Sequence, residues 1–336
     1  MTTIKEVAKE AGVSVGTVSN AINNLPSVSV ENRRKVNDAI KKLKYRPNNA
    51  ARTLKTNISK SIGLIIPDIT NPFYPEVARG IEDAAKKYGY TVFLCNEDRN
   101  AHKEREYLRV LMEKNVDGIV IVKPYISIEE IREVQERCNI VVVDMGDEVI
   151  PECDQVNIDD YGGSMQAMKF LYENGHKRIA FISGLLECKG GMQRQKAYID
   201  FLRSKDIKVD ELLIKRGSYD WHSGYRCTLE LLRQIDPPTA IFAANDVMAI
   251  GALKAVRDRK LAVPADISIV GSDDIDMASF CSPQLTTIIR PKYEIGAASI
   301  ELLMKRLGAN STADDEKRVI TLKTELIVRE SVGRAD

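Results

Sequence analysis

From residue 61 to about residue 271 the chain alternates short, continuous apolar runs with longer amphipathic stretches, and that alternation leaves few folds open. Ile62-Gly63-Leu64-Ile65-Ile66, Thr91-Val92-Phe93-Leu94-Cys95, Gly118-Ile119-Val120-Ile121-Val122 and Ile140-Val141-Val142-Val143 have strand length and no polar face. Between them the spacing predicts helices at 73–88, 103–114 and 128–137. A second series follows, with helices at 161–174, 190–204, 222–234 and 246–257 and strands at 179–183, 212–215, 240–244 and 267–271. Strands without a polar face are buried on both sides, as in parallel sheets covered by helices. Two such series predict two similar α/β lobes, with ligands at the carboxyl ends of the strands. Residues 288–307 read as a return to the first lobe, with one late strand near 319–328 and a polar loop at 310–316.

Residues 1–60 read differently. Thr3 with Glu6 three places later is a capping box. Ile4, Val7, Ala8 and Ala11 form one apolar face. Gly12 ends that helix, and Ser14 caps a second that runs to about Ile22. Val18, Ala21 and Ile22 face inward, while Val15, Gly16, Ser19 and Asn20 fall outside with Thr17 beside them. Ser29 caps a third helix with the stripe Val36, Ile40, Leu43. Helix, short turn, helix and supporting helix make a helix-turn-helix, whose second helix can enter a DNA major groove. A helical hairpin with no DNA role is the alternative. Charge favours the first reading. Residues 1–60 carry 12 Lys/Arg against 4 Asp/Glu, a balance of +8, and the remainder carries 37 against 44, a balance of −7. A basic head on an acidic body points the head at a polyanion. Pro47 stops the third helix, and the stretch 49–55 is too short to hold as a helix alone. It should fold only when something pairs with it.

The residues Ile4, Val7, Ala8, Ala11, Gly12, Val13, Ser14, Thr17, Val18, Ser19, Ile22 and Asn23, followed by Tyr45-Arg46-Pro47, resemble the LacI/GalR family of bacterial transcriptional regulators. Asp68-Ile69-Thr70-Asn71-Pro72-Phe73-Tyr74, the run 244–252 and Leu285-Thr286-Thr287-Ile288 extend the resemblance over nearly the whole chain. It implies an all-α helix-turn-helix head at 1–46, a hinge helix or linker at 47–58 and an effector-binding and dimerisation body at 59–336. That body has two Rossmann-like lobes of parallel sheet in the type I periplasmic-binding-protein arrangement, the first at 59–159 and 289–320, the second at 160–288 and 321–330. The resemblance implies base reading by Val15, Gly16 and Asn20, where many relatives carry Arg in place of Asn20. Asn20 suits a bidentate contact to adenine, and Val15 a thymine methyl. It also implies DNA contacts from Thr3, Ser14, Thr17, Ser19, Asn23, Arg52 and Lys55. Leu54 stands where the family inserts a leucine into the minor groove, from two segments that pair and fold on the operator. The implied partners are a pseudo-palindromic double-stranded operator, a second copy of the chain and a small-molecule effector, in the bacterial cytoplasm at the nucleoid. No cofactor and no metal is implied.

The resemblance to sugar-binding relatives carries an effector site onto Asn71, Phe73 and Tyr74 in the first loop, Asp144 after the fourth strand, Arg194 and Tyr219, Asn245 and Asp273 in the second lobe, and Arg290 at a lobe crossover. Met145, Lys123 and Arg290 depart from pentose-binding relatives, which often carry Arg, Asn and Gln there. Lys123, Arg194 and Arg290 are then three cations facing two carboxylates. Two readings stay open: an anionic sugar acid or phosphate held by these cations, or a neutral sugar with the cations paired to Asp144 and Asp273.

Other functions find less support. The six cysteines, at 95, 138, 153, 188, 227 and 281, form no CxxC, and there are only 3 histidines, so a zinc site or disulfide framework is not expected. There is no Walker loop, HExxH or GxSxG. Asp273-Asp274 suits a ligand clamp better than acid–base catalysis. A transport-type binding protein would share the body, but the basic head, and the absence of a signal peptide or an apolar run of about 18 residues, argue against it. A catabolite-control-type regulator, worked by a seryl-phosphorylated phosphocarrier protein, is the remaining alternative. Residues 290–297 and 78–83 resemble it, but Glu301 stands where that subfamily places the Arg that meets the phosphoserine.

Overall fold

The structure, a computed structural model, describes residues 2–22, 25–45, 58–146, 148–185, 189–308 and 318–335. It divides into two compact units, residues 1–59 and 60–336. The hinge stretch with Arg52, Leu54 and Lys55 lies outside the described residues, as do Asn23 and the 310–316 loop.

The head holds α1 (Ile4–Ala11), α2 (Val15–Ile22) and α3 (Val30–Lys42). Its local chemistry follows the sequence closely. Thr3 and Glu6 form the reciprocal capping box, and Gly12 takes the left-handed conformation at φ 65° that ends α1. The Ser14 hydroxyl accepts the Thr17 amide at 3.0 Å to start α2. Val7, Ala8, Ala11, Val18, Ala21, Val36 and Ala39 form the small core with Val28, and Ile22, Ile40 and Leu43 pack half-buried against it.

In the body, the first sheet is built from β1 (Ser61–Ile66), β2 (Thr91–Asn96), β3 (Gly118–Val122), β4 (Asn139–Val143), β5 (Asp154–Ile158) and β11 (Val319–Leu322), in the order β11-β5-β4-β3-β1-β2. The second uses β6 (Ile179–Ser183), β7 (Ile214–Arg216), β8 (Ala240–Ala243), β9 (Ser268–Asp273), β10 (Thr286–Ile289) and β12 (Glu325–Ile327), in the order β12-β10-β9-β8-β6-β7. Pairing is parallel throughout except where β12 runs antiparallel to β10. The sheets are covered by α4 (Phe73–Lys87), α5 (Ala101–Glu113), α6 (Ile128–Gln135) and α12 (Lys292–Leu307) in the first lobe. In the second they are covered by α7 (Asp160–Glu173), α8 (Lys189–Ser204), α9 (Trp221–Leu231) and α10 (Asp246–Asp258), with short α11 (Asp276–Phe280) beside them. The first sheet has one core on each face, and the second lobe has a single large one. Helices α4 and α12 touch backbone to backbone: a Cβ on Gly80 would lie 2.1 Å from the Tyr293 carbonyl oxygen, and one on Gly296 would lie 2.2 Å from that of Val77.

Four details differ from the sequence reading. The run 91–95, expected to be buried on both sides, is an edge strand that leaves Phe93 and Leu94 43% and 47% exposed. The expected strand at 319–328 is two strands in different sheets, parted by Lys323 and Thr324. The strand expected at 212–215 starts later, because 211–213 is a 3-10 turn. The strand β5 was not expected. It is fully buried despite Asp154, Gln155 and Asn157, because each polar side chain has a partner: Asp154 takes two bonds from the Arg306 guanidinium, Gln155 donates to the Glu148 carbonyl, and Asn157 accepts the Met145 amide. The chain passes between the lobes at three places, after β5, after β10 and between β11 and β12.

Two buried carboxyls lie at the start of α5, Glu97 just before it and Glu104 in its first turn. Glu104 accepts the amides of Tyr125 and Ile126 at 2.8 and 3.1 Å, fixing the loop after β3. Glu97 accepts the Asn100 amide at 2.9 Å. Burial, reinforced by repulsion from Glu104, pushes Glu97 up to about 8, and burial pushes Glu104 up to about 7. Such groups stay protonated in the folded state while the unfolded chain ionises, so they erode stability as pH rises from about 4.5 to about 8 and no further. Glu97→Gln is therefore expected to raise the melting temperature, relative to the parent protein, more at pH 8.5 than at pH 5. Equal offsets at both pH values in a calorimetric series would contradict this.

Candidate functional site

The outer face of α2 is the first candidate. Val15 is 41% exposed, Gly16 is exposed, and Thr17, Ser19 and Asn20 are half-buried beside them. A side chain at Gly16 would meet only the Ser14 hydroxyl, at 3.6 Å, so the surface is shallow there. Hydroxyls of Ser14 and Thr17 share a bond of 2.9 Å, and Thr3 is engaged with Glu6, so these three residues first set the shape of the helix ends. Lys5, Lys9, Arg34, Lys35, Lys41, Lys42 and Lys44 are exposed around the head, with Lys35 and Lys42 paired to Glu31 and Glu10.

The second candidate lies where the two lobes meet. Arg290, directly after β10 and 2% exposed, is its centre. Its guanidinium reaches Asp144 at 2.8 Å, Asp160 at 3.1 Å and Asp273 at 3.2 Å, and it stacks over the Phe73 ring at 4.4 Å. Arg194, on α8, puts two donors on Asp160 at 3.0 and 3.2 Å and a third on the Ala244 carbonyl at 2.7 Å. Lys123 lies 3.2 Å from Asp144 and over the Tyr219 ring at 5.4 Å. Tyr74 packs edge-on against Phe73.

Strand ends position these groups. Lys123 and Asp144 follow β3 and β4, Asp273 ends β9, and Tyr219 precedes α9. All four have positive φ, at 54°, 65°, 123° and 64°. Non-glycine residues rarely adopt this conformation, and its cost is tolerated where surrounding structure fixes it, as at binding sites. The amides are used locally: Asn71 accepts the Phe73 amide at 3.0 Å to start α4, and Asn245 caps α10 through Met248 and donates to the Tyr219 carbonyl at 3.3 Å.

All ten residues expected at the effector site are thus found in one region, but the sequence missed a participant that changes the electrostatics. Asp160 forms ion pairs with both Arg194 and Arg290. The expected surplus of three cations over two carboxylates becomes three over three. Lys292 was also missed; its ammonium bonds the carbonyls of Asp273 and Asp274 at 3.0 and 2.6 Å. So was Asp246, buried beneath the site, which accepts the Thr287 hydroxyl and the Ile275 amide.

The protonation states follow from this packing. Burial alone would raise Asp144, but Lys123 and Arg290 reverse that and hold it well below the usual carboxylate range. Burial would likewise lower Lys123, yet Asp144 keeps it raised and charged. Burial, with repulsion from Asp273, pushes Asp246 up to about 7.

Two oxygens in the cluster are unfilled. Asp144 Oδ1 and Asp160 Oδ2 are buried with no hydrogen-bond partner among the described residues, as is one donor, Arg290 Nε. The two oxygens face Gly190 in the first turn of α8, where a Cβ would sit 3.1 and 2.5 Å from them. A buried acceptor left unsatisfied costs about 1–3 kcal/mol, so the site favours a molecule that donates hydrogen bonds. Among the described residues no cluster of three or more His, Cys, Asp or Glu side chains could hold a metal ion, and no helix is long and apolar enough to cross a membrane.

Comparison with known proteins follows the same division of the chain. Residues 3–48 match the family of bacterial regulatory proteins, lacI family, and residues 168–332 match a periplasmic binding protein-like domain. The HTH-type transcriptional regulator RegA of Clostridium saccharobutylicum is 39% identical over 334 residues, covering 98% of this chain and 99% of that protein. Catabolite control protein A of Priestia megaterium is 37% identical, covering 98% of each. Among solved structures, the lac repressor dimer bound to operator and the anti-inducer ONPF aligns with a TM-score of 0.88 at 27% identity, covering 99% of both chains.

Proposed function

The chain belongs to the lacI family of bacterial regulatory proteins, and from that premise we propose that it is a homodimeric, DNA-binding repressor whose operator affinity is set by a neutral, polyhydroxylated effector, a sugar or sugar derivative, held between its lobes. Regulation rather than catalysis is what its relatives do. The observation that carries the effector reading is the balanced ion cluster with two free carboxylate oxygens beside the rings of Phe73 and Tyr219. Hydroxyls donate to such oxygens, and the C–H faces of a sugar rest on rings. With every cation in the cluster already facing a carboxylate, an anionic ligand would have to displace a buried Asp. The site we assign comprises Asn71, Phe73, Tyr74, Lys123, Asp144, Asp160, Arg194, Tyr219, Asn245, Asp273 and Arg290. A thermal-shift panel tests it. A neutral sugar at 100 times its Kd should stabilise the protein by about 2.7 kcal/mol; stabilisation by sugar acids or phosphates alone would reject the neutral class.

In the head, we assign base reading to Val15, Gly16 and Asn20, with Thr3, Ser14, Thr17, Ser19, Asn23, Arg52, Leu54 and Lys55 as supporting contacts. Pairing of two heads implies a pseudo-palindromic operator, and the protein acts in the cytoplasm, on the nucleoid. Asn20→Ala should cost about 1–3 kcal/mol at one base pair of each half-site and relax the preference there. In a randomised-operator selection, uniform weakening of every sequence would overturn the assignment.

Effector and operator affinities are then reciprocally coupled through lobe closure. The phosphocarrier reading gains nothing from the surface of α4 and α12: Glu301 is an exposed carboxylate, and Arg79 is paired with Asp83.

A further inference from the structure

We infer that Glu97 and Glu104 are positioning residues that hold one proton between them and so brace the two loops carrying the first-lobe half of the effector site, which ties the shape of that half to pH; this rests on the residues assigned to the site and not on the saccharide placed there. Strand β1 lies between β2 and β3, parallel to both, so the loops after all three strands meet at one edge of the sheet. The loop after β1 carries Asn71 and leads into Phe73 and Tyr74, and Lys123 starts the loop after β3. Both loops are tied to residues 96–104. Asn96 accepts the Ile69 amide at 2.8 Å, and Arg99 donates to Asp68 at 2.9 Å. On the other side Glu104 accepts the amides of Tyr125 and Ile126.

The bracing segment is built around the two acids. Glu97 is 1% exposed and Glu104 is fully buried. Asn100 joins them: its amide donates to Glu97 at 2.9 Å, and its carbonyl accepts the Glu104 amide at 3.0 Å. Between them Asp98 and Arg99 take positive φ, 55° and 58°, a conformation that persists only where its surroundings fix it. Each acid uses one carboxyl oxygen. The other, Oε1 in both, is buried with no hydrogen-bond partner among the described residues. Two carboxylates have no donor to offer each other, whereas a protonated carboxyl donates to its neighbour. The charges that face the pair are Arg99, already paired with Asp68, beside Glu97, and the Arg105–Glu130 pair beside Glu104. Burial therefore prevails. With repulsion from Glu104 it pushes Glu97 up to about 8, and it pushes Glu104 up to about 7.

Hydrogen-exchange mass spectrometry on the full-length protein tests this on peptides spanning 123–128, with rates corrected for the intrinsic effect of pH. Glu97 holds its proton in the closed segment and releases it on opening. Protection of the Tyr125 and Ile126 amides should therefore fall about ten-fold from pH 7 to pH 8 and level off above. Glu97→Gln keeps a donor at every pH and should be flat over that range. Glu104→Gln keeps the acceptor for the two amides but removes the repulsion, and should move the fall to lower pH. A cooperative melting transition reports that each variant has folded. Protection that is constant with pH in the parent, or that falls as steeply in Glu97→Gln, would overturn the shared proton. Amides left unprotected even at pH 6 would overturn the brace. The readout uses no effector, so a sugar panel without a hit leaves it standing.

Discussion

Asp160→Ala is expected to destabilise the body by about 3–5 kcal/mol, the usual cost of stripping one partner from a buried ion pair. The reason is geometric. Asp160 takes two hydrogen bonds from Arg194 and forms an ion pair with Arg290, and all three side chains are nearly inaccessible to water. Removing it leaves Lys123, Arg194 and Arg290 against Asp144 and Asp273 alone, with one positive charge uncompensated. Exposed ion pairs of the same chain, such as Arg109–Glu113, should contribute no more than about 1 kcal/mol. Urea denaturation of the two variants, Asp160→Ala and Glu113→Ala, measures the contrast. A loss below about 1 kcal/mol at Asp160 would mean that water, not protein, satisfies the guanidiniums. The same variant should lose effector binding, since Asp160 supplies one of the two free oxygens.

Operator affinity should collapse with salt. A dimer making 6–10 phosphate contacts loses about 10³–10⁵ in affinity between 50 and 200 mM salt, because each neutralised phosphate releases counterions. The intact chain has a net charge of only +1, which by itself forecasts little salt dependence. The separation into a head of +8 and a remainder of −7 makes the difference. Fluorescence anisotropy with a labelled operator across that range gives the slope. A log–log slope shallower than about −3 would show that few of the head's cations reach phosphates. Effector affinity, governed by buried groups screened far less, should hold nearly constant over the same titration.

Most of the fold was legible because apolar continuity is visible in sequence. Runs such as Ile62–Ile66 and Gly118–Val122 need no partner to be recognised. The head was legible for a different reason: its caps are local, and Thr3, Gly12 and Ser14 act within a few residues of themselves. The strand β5 failed the same test. Asp154 and Gln155 look exposed until Arg306, far along the chain, and the Glu148 carbonyl are placed beside them. With β5 hidden, Asp160 could not be seen as a residue just beyond a strand end, so the acid that balances the cluster was lost. The run 319–327 misled in another way. One pattern of alternation continues across Lys323 and Thr324 while the chain changes sheets, and no residue in the stretch announces the change.

The lobe crossings have a mechanical consequence. Asp160 and Arg290 stand at two of the three crossings, and at the third the Thr324 hydroxyl bonds the Asp159 carbonyl at 2.8 Å. A hinge axis is the place where rotation displaces atoms least. Contacts made there have almost no lever arm, so they survive a rotation of the lobes that would part the Lys189–Glu148 pair. Torque has to come from the rim, where Lys189 and Glu148 face each other across the opening.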